Sequence, residues 1–324
     1  MVFDTAPRAG YQPCVNAKLL GRTLVLAAIL LTGGPPLHGA DTFRVATYNL
    51  ETYLDAPAGT RPTKSDAAKA KIRESLRAIQ PDVVALQEVG GPRALTELRE
   101  ALRAEGLDYS HWELVTGLDT NIHVAVLSKF PFRARRPHPD DSFLLGGRRF
   151  RVSRGFAEVE VQVNSRYAFT LLTCHLKSRR PVPEADEAEL RLEEAKLLRQ
   201  HIDTRLAADP DANLIVLGDF NDVYDSPVVK TVLGHGNGKL LDTRPAERNG
   251  DNQPNPNPRF QPRHVTWTHF YGKEDTYSRI DYILLSPGMA RAWVKAETYV
   301  LALPNWGTGS DHRPLVATFT PEDR

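Results

Sequence analysis

The chain has 324 residues, with 41 lysine and arginine residues against 40 aspartate and glutamate residues. This balance excludes a global field that would attract a polyanion, so any attraction for an anionic substrate has to be local. A chain of this length can bury a substantial core, either as one large domain or as two ordinary ones.

The N-terminal segment has the pattern of an export signal. Basic residues precede an apolar stretch from Leu24 to Leu31, and Gly39 and Ala40 follow it. This stretch is too short to span a bilayer but suits the apolar region of a signal peptide. We therefore predict that residues 1–40 are a signal peptide and that the mature chain is secreted or periplasmic, without a transmembrane segment. The alternative is an N-terminal extension without defined structure.

From residue 41 onward, strand-like and helix-like patterns alternate without a linker that would separate two domains. Apolar residues at helical spacing predict helices over Ser65–Ile79, Pro92–Glu105 and Glu184–Ala207. In the third helix, the residues expected to face inward are Ala188, Leu192, Ala195, Leu198 and Ile202, and its charged face is expected to be exposed. Strand-like runs lie between and after these helices. We predict an α/β fold of two packed sheets with helices outside, in a single domain over residues 41–324.

Short polar clusters lie where apolar, strand-like runs end. The runs are Arg44–Asn49, Asp82–Glu88, Phe169–His175, Leu214–Asn221 and Ile280–Ser286, and Ser310–His312 opens the last strand. The polar residues at these ends are Asn49, Glu88, His175, Asp219, Asn221, Asp281, Asp311 and His312. Open α/β sheets gather their ligands at strand ends, where loops converge above a dry core. Carboxylates, carboxamides and imidazoles suit a hard divalent cation and a phosphate ester.

Two of these clusters carry the most specific local chemistry. Asp219 and Asn221 face the same side of an extended chain, where they could hold an attacking water and a phosphate oxygen. Asp281 could fix the tautomer of His312 and stabilise its protonated form. The structural alternatives are an ordinary Asp-Asn turn after a strand and an ion pair of Asp281 with Arg279.

Local basic density could attract an anionic substrate. Three runs contain it: Arg133, Arg135 and Arg136; Arg148, Arg149, Arg151 and Arg154; and Lys177, Arg179 and Arg180. The alternative for each run is a solvated loop surface. The segment Arg244–Arg263 contains five prolines and is expected to be a long irregular loop at the rim of a cleft. Trp267 and Trp306 are expected to pack within the fold, with base stacking as the alternative.

Six motifs together resemble one family. They are Thr47-Tyr48-Asn49-Leu50, Leu86-Gln87-Glu88-Val89, His175-Leu176-Lys177-Ser178, Gly218-Asp219-Phe220-Asn221, Ser278-Arg279-Ile280-Asp281-Tyr282 and Ser310-Asp311-His312-Arg313-Pro314. In this order they look like the endonuclease/exonuclease/phosphatase superfamily, which includes deoxyribonuclease I and exonuclease III. The resemblance spans about Thr42 to Phe319 and implies a four-layer α/β sandwich with the site at one edge of two packed sheets.

The resemblance also implies roles for individual residues. Glu88 would be the principal Mg²⁺ ligand, with Asn49 beside it and Asp311 completing the metal site. Asp219 and Asn221 would position the attacking water, and His312, oriented by Asp281, would contact the scissile phosphate. The residues implied to face the phosphate are Asn49, Arg154, His175 and Asn221.

The expected activity is Mg²⁺-dependent hydrolysis of phosphodiester bonds by a nuclease or general phosphodiesterase, with Mn²⁺ or Ca²⁺ as alternative cofactors. The expected substrate is a phosphate ester, with nucleic acid as the first candidate, and no obligate protein partner is evident. A second reading is a phosphatase or phospholipase C-like enzyme acting on inositol phosphates or sphingomyelin-type lipids. A third is a non-catalytic binding protein on the same scaffold.

Overall fold

The computed structural model describes residues 42–248 and 265–321. The predicted signal peptide, and residues 249–264 of the proline-rich segment, lie outside the described residues, so these expectations stay predictions. Within the described part of the chain, no helix is long and apolar enough to cross a membrane.

The first sheet has seven strands in the order β12-β16-β17-β1-β2-β4-β3. Their bounds are β1 Phe43–Tyr53, β2 Val83–Val89, β3 His111–Val115, β4 His123–Ser128, β12 Ala246–Glu247, β16 Trp293–Val300 and β17 Leu315–Phe319. Strand β1 pairs parallel with β2 and antiparallel with β17, so the sheet is mixed.

The second sheet has six strands in the order β11-β15-β10-β9-β8-β5. Their bounds are β5 Phe132–Arg135, β8 Phe156–Gln162, β9 Ala168–His175, β10 Leu214–Asp219, β11 Leu241–Asp242 and β15 Asp281–Leu285. Strands β9 and β10 are parallel, and β15 is antiparallel to β10. Two separate hairpins complete the strands: β6 Ser142–Leu145 with β7 Arg148–Arg151, and β13 His269–Tyr271 with β14 Thr276–Ser278.

In the part of the chain that the structure describes, five α-helices accompany the sheets: α1 Asp66–Ile79, α2 Pro92–Ala104, α3 Glu187–Ala208, α4 Pro227–Leu233 and α5 Pro287–Ala290. Ser65 caps the N-terminus of α1, because its side chain accepts a hydrogen bond from the backbone of Ala68. Helix α2 begins at Pro92, which needs no hydrogen-bond donor in the first turn.

Three apolar clusters define four layers. Side chains of α1 and α2 such as Ile72 and Leu98 pack on the outer face of the first sheet. Inward-facing residues of both sheets, such as Val83 and Ile215, form the cluster between the sheets. Side chains of α3 and α4, such as Leu198, pack on the outer face of the second sheet. The fold is therefore the predicted α/β sandwich with two packed mixed sheets flanked by helices.

The prediction for α3 needs a correction. Ala188 is exposed and Leu192 is only half-buried, whereas Leu190 and Leu206 are buried beside Ala195, Leu198 and Ile202. The charged face is also not wholly exposed, because α3 includes two buried charged residues, Arg191 and Glu194. Their partners lie in the loops that surround the candidate site.

Candidate functional site

The ends of β1, β2 and β10 bring three predicted site residues together. Asn49 Nδ2 lies 3.0 Å from Asp219 Oδ2 and 3.5 Å from Glu88 Oε1. Its Oδ1 accepts a hydrogen bond of 2.9 Å from the backbone N–H of Glu51. The carboxamide therefore presents its nitrogen to the two carboxylates and positions both of them. The metal-ligand role predicted for Asn49 would need the oxygen of its amide to face the cation.

Local backbone conformation aims two of the site residues. Glu88 has a φ of 59° and Asn221 a φ of 53°, the left-handed region that a residue with a side chain rarely adopts. Each such residue costs on the order of 1 kcal/mol, and it persists only where the surrounding structure enforces it. Here Thr52 donates its backbone N–H to Glu88 Oε2, and Asn221 donates its own to Asp219 Oδ1.

Asp219 lies at the centre of the candidate site. Its side chain is almost fully buried, and Asn221 Nδ2 approaches Asp219 Oδ2 to 3.3 Å while also donating to the carbonyl of Leu176. His175 Nε2 lies 3.5 Å from Asp219 Oδ2 and 3.8 Å from Glu88 Oε1. His312 Nε2 lies 3.8 Å from the same oxygen of Asp219.

The second centre is the pair formed by His312 and Asp281. His312 Nδ1 lies 2.9 Å from Asp281 Oδ2, and both side chains are buried. Thr268 donates its hydroxyl to the same oxygen of Asp281 at 2.6 Å, so it fixes the carboxylate that orients the imidazole. Arg279 does not pair with Asp281, because its two terminal nitrogens bind Asp242 at 3.0 and 2.7 Å. The structure therefore favours the Asp281–His312 pair over the alternative ion pair with Arg279.

Asp311 lies at the rim of the site. Its Oδ1 is 3.8 Å from His312 Nε2, and its Oδ2 is 3.5 Å from His269 Nε2. Burial raises the pKa of the Asp311 carboxyl, but the hydrogen bond from His269 and the charges of both histidines outweigh it, so this pKa lies below its usual range. Asp311 therefore stays ionised and available to a cation.

The pKa values of the two buried imidazoles, His312 and His175, are shifted in opposite directions, so the two rings differ in charge. Burial lowers the pKa of His312, but the carboxylates of Asp281, Asp219 and Asp311 raise it well above its ordinary value. Burial lowers the pKa of His175 well below its ordinary value, and the nearby charges of Arg154 and His312 lower it further. His312 is thus the cationic imidazole of the site and His175 the neutral one.

Burial and the neighbouring Asp281 carboxylate raise the pKa of Asp219 to about 7, against the opposing effects of His312 and Asn49. A carboxylate with a pKa in this range can accept and release a proton near neutral pH. Asp219 and His312 therefore have the protonation behaviour expected of a base and a charge stabiliser held side by side.

The donor atoms near Glu88 fit the hard divalent cation expected from the sequence. Burial and the charges of Asp311 and Glu88 raise the pKa of Glu51, so three carboxylates act on one another at this edge. Lys64 balances part of this charge through its contact of 3.4 Å with Glu51 Oε2. Lys64 offsets only part of the charge of these carboxylates, and the remaining negative charge suits a divalent cation.

The basic runs separate into two groups. The first run is paired within the fold: Arg133 with Glu160, Arg135 with Glu113, and Arg136 with Glu158 and Glu160. Arg151, Arg154, Lys177 and Arg180, from the other two runs, line a cavity of about 680 Å³ together with Arg61. The positive charges of Arg154 and Arg61 both lower the pKa of His175. Both arginines are therefore near His175, and the cavity adjoins the candidate site.

Buried charges of α3 hold the loops of this cavity. Glu194 accepts hydrogen bonds from the backbone N–H groups of Ser153 and Lys177 at 2.8 and 2.6 Å. Arg191 Nε donates to Asp222 Oδ2 at 3.1 Å, which fixes the turn after Asn221. Neither role could be predicted from the sequence, because a charged helix face most often faces solvent.

Other contributors were also missed. Thr268 holds Asp281, His269 contacts Asp311, and Ser310 donates to the backbone carbonyl of Asn49 at 2.8 Å. A signal for Ser310 existed, since it lies within the motif that contains Asp311. Nothing in the sequence around Thr268 and His269 distinguishes them from ordinary residues of a strand.

Trp267 and Trp306 pack against each other with ring centroids 5.2 Å apart, and the guanidinium of Arg313 stacks 3.3 Å from the Trp267 ring. Arg313 is itself buried and donates to the carbonyl of Trp267 at 2.6 Å. The packing role expected of these tryptophans is therefore the observed one.

A four-layer α/β sandwich with carboxylates and imidazoles gathered at one edge is the architecture of metal-dependent phosphoesterases. The sequence model of the Endonuclease/Exonuclease/phosphatase family matches residues 46–312. The chain therefore belongs to this family. Curated proteins give no significant match by sequence.

Solved structures share the fold at low sequence identity. Truncated TDP2 from Caenorhabditis elegans is 18% identical with a TM-score of 0.57, and the match covers 86% of this chain and 97% of that chain. Sphingomyelinase C from Streptomyces griseocarneus is 21% identical with a TM-score of 0.55, covering 86% of this chain and all of that one (100%). The 3′ phosphatase NExo from Neisseria is 18% identical with a TM-score of 0.55, covering 86% and 99%. These similarities establish the fold and leave the substrate open.

Proposed function

We propose that this protein is a Mg²⁺-dependent phosphodiesterase, with nucleic acid as its leading substrate. One observation carries the proposal. The buried His312 is held at Nδ1 by Asp281 at 2.9 Å, while its Nε2 faces Asp219 at 3.8 Å, close to Glu88 and Asn49. A cationic imidazole beside a carboxylate whose pKa lies near neutral pH suits the in-line hydrolysis of a phosphate ester.

The chain's own residues divide the reaction between them. Asp219 takes a proton from the attacking water, and Asn221 holds Asp219 in place through its side chain and backbone N–H. The water oxygen bonds to phosphorus while the bond from phosphorus to the leaving oxygen breaks. His312, kept protonated by Asp281, stabilises the charge that develops on the phosphoryl oxygens.

Two further groups would bind the phosphate before reaction. Arg154 Nε is buried and has no hydrogen-bond partner among the described residues, so it can donate to a non-bridging oxygen of a phosphate ester. His175 turns its Nε2 toward Asp219, and the single N–H of this neutral imidazole at Nε2 would reach a phosphate oxygen bound beside that carboxylate. Glu88 and Asp311 would hold the divalent cation, which supplies positive charge to the phosphoryl group when bound.

The cavity next to the site supports an extended anionic substrate. Its basic wall includes Arg61, Arg151 and Arg180, and its apolar wall includes Phe143 and Phe150. Guanidinium groups bind backbone phosphates, and aromatic faces can stack on bases. A single strand of nucleic acid could therefore contact both walls of the cavity, with its phosphates on one and its bases on the other. Export of the chain through residues 1–40 remains part of the proposal and would place the enzyme in the periplasm or outside the cell.

A lipid phosphodiester is the second candidate, and one observation favours it. Leu144, in strand β6 next to the cavity residue Phe143, and Leu118, in the wall of the cavity, are large apolar side chains that are 64% and 55% exposed. Exposed apolar side chains beside a substrate cavity can contact acyl chains or a membrane interface. A headgroup phosphodiester would then occupy the same phosphate position.

The proposal is tested with purified protein and bis-p-nitrophenyl phosphate. We expect Mg²⁺- or Mn²⁺-dependent hydrolysis that EDTA abolishes, and a fall of at least ~100-fold in His312→Ala, since general acid–base groups contribute about 10²–10⁴-fold. His235→Ala, which removes an exposed histidine elsewhere, should keep the wild-type rate. Near-wild-type turnover by His312→Ala would refute the assigned role.

A panel of plasmid DNA, single-stranded DNA, phosphoinositides and sphingomyelin then identifies the substrate class. The nuclease proposal predicts the highest kcat/KM on a nucleic acid. A preference for sphingomyelin vesicles would favour the lipid candidate, and a salt-independent preference for a small monoester would exclude the nuclease. Absence of hydrolysis of every substrate by folded, metal-loaded protein would leave the non-catalytic binding protein.

A further inference from the structure

A second group of metal-binding side chains lies outside the candidate active site. His138 and Asp141 belong to the segment between β5 and β6, and His201 projects from α3. One ligand atom from each of the three residues lies within 4.8 Å of the others. His201 Nε2 is 2.5 Å from Asp141 Oδ2, and the two imidazole rings stack with centroids 3.7 Å apart.

The sheet separates this group from the candidate active site. Glu158, which contacts His138, opposes Leu172 in the register of β8 and β9, and Leu172 packs in the cluster beneath α3. His175 is three residues further along β9, which is about 10 Å, and alternation turns its side chain to the opposite face. The two groups therefore lie on different faces of the second sheet.

Backbone hydrogen bonds fix the positions of the ligands. His138 and Phe156 exchange both of their backbone hydrogen bonds, at 2.9 and 3.1 Å. The carbonyl of Asp141 accepts from the backbone N–H of Val152 at 2.8 Å. The ring of His201 packs edge-on to Phe156, with centroids 5.9 Å apart. A site held in this way needs little reorganisation to accept a cation.

Glu158 is positioned as a carboxylate that orients the metal-binding histidine His138. Its Oε2 lies 2.9 Å from His138 Nε2, and its side chain is 1% exposed. Such carboxylates set the tautomer and the orientation of histidine ligands. Arg205 and Arg136 already balance the charge of Glu158, which leaves Asp141 as the carboxylate for a cation.

We propose that His138, Asp141 and His201 form a binding site for one borderline-soft divalent cation of the Zn²⁺ class. Two imidazoles and one carboxylate suit Zn²⁺, whereas Mg²⁺ prefers oxygen ligands alone. The three residues are each partly exposed, so water can reach the site and complete the coordination.

A cation at this site would stabilise the wall of the substrate cavity. Asp141 directly precedes the β6–β7 hairpin, and the hairpin supplies Phe143, Phe150 and Arg151 to the cavity wall. A cation that joins Asp141 to His201 ties the base of this hairpin to α3. The site is structural rather than catalytic, and it does not depend on the proposed phosphodiesterase activity.

The proposal is tested by zinc binding to metal-free protein in the Glu88→Gln background, which removes the principal ligand at the other site. We expect one tightly bound zinc per chain by elemental analysis after dialysis. His201→Asn and His138→Asn in this background should bind zinc at least ~10-fold more weakly, because each removes a ligand. His235→Asn, an exposed histidine outside the site, is the matched control and should leave zinc binding unchanged.

Cobalt gives a readout that does not depend on the folding of the His138 and His201 variants. Co²⁺ added to metal-free Glu88→Gln protein should produce the visible absorption of a low-coordinate nitrogen and oxygen site, which zinc displaces. If this absorption is absent, the proposal is wrong. The residues then form two carboxylate–imidazole pairs without a metal, His201 with Asp141 and His138 with Glu158. Equal zinc binding by His201→Asn and His235→Asn would overturn the proposal in the same way.

Discussion

Among single residues, the site depends on buried charged side chains whose hydrogen-bond partners are fixed by further hydrogen bonds. Asp281 orients His312, Thr268 orients Asp281, and Asn49 holds Asp219. The groups that are proposed to meet substrate could be singled out from the sequence, because each lies in a motif at a strand end. The sequence did not predict Thr268, whose importance arises from a contact with a residue 13 positions away.

Asp281→Asn tests the orienting carboxylate. Without its charge, the pKa of His312 falls, because the largest favourable effect on the imidazolium is lost. We expect kcat to fall by about 10²–10⁴-fold. The alkaline limb of the pH–rate profile should move to lower pH, since a smaller fraction of His312 is protonated at each pH.

The matched control is Asp225→Asn, which neutralises an exposed aspartate paired with Lys230. It should leave kcat and the pH profile within about twofold of the wild type, because surface ion pairs contribute little. An unchanged pH profile in Asp281→Asn would mean that another group sets the alkaline limb.

At the scale of elements, the site is built by strand ends brought level with one another. The register of β9 and β10 places His175 opposite Asp219, and that of β10 and β15 places Asp219 opposite Asp281. Gly218 makes this possible, since its φ is +136° and a Cβ there would lie 2.1 Å from the carbonyl oxygen of Cys174. Helix periodicity predicted α1 and α2 closely, but it could not predict that Arg191 and Glu194 of α3 would be buried.

Gly218→Ala tests the closeness of these strands. The clash involves backbone on both sides, so the strands have to separate. We expect a loss of several kcal/mol in the free energy of unfolding and a disproportionate loss of activity. Gly236→Ala is the control, because Gly236 also has a positive φ, of +63°, but open space around its Cβ position.

Gly236→Ala should cost only about 1 kcal/mol, the penalty for a side chain in the left-handed region. Chemical denaturation and the rate on bis-p-nitrophenyl phosphate measure both variants. If Gly218→Ala and Gly236→Ala lose similar amounts of stability and activity, the need for glycine at position 218 comes from its backbone conformation and not from the contact with Cys174.

At the scale of the whole molecule, the two sheets pack so that polar edges meet while apolar faces stay dry. The layers could be predicted from the alternation of strand-like and helix-like patterns. The order of strands within each sheet could not, because it depends on pairings between distant residues such as those of β1 with β17. The distribution of basic residues is also a property of the folded molecule: the first run is neutralised by glutamates, and parts of the other two line the cavity.

Salt dependence tests the cavity as a path for a nucleic acid backbone. The logarithm of kcat/KM on single-stranded DNA should fall linearly with the logarithm of salt concentration, because bound cations are released from the phosphates. Hydrolysis of bis-p-nitrophenyl phosphate should change little. Arg180→Gln should reduce the magnitude of the slope by about 1.

Arg133→Gln is the matched control, because Arg133 pairs with Glu160 and does not line the cavity. It should leave the slope on DNA unchanged. Equal slopes for the wild type and Arg180→Gln would place the strand elsewhere on the surface.

If the proposed roles are right, Glu88 and Asp311 hold a cation beside a phosphate that contacts His312 and lies next to Asp219. Anomalous diffraction from crystals grown with Mn²⁺ and inorganic phosphate tests this arrangement most directly. We expect a manganese peak within about 2.5 Å of an oxygen of Glu88, with phosphate density within hydrogen-bond distance of His312 Nε2. A fully occupied manganese peak that touches neither Glu88 nor Asp311, or phosphate bound away from His312, would contradict it.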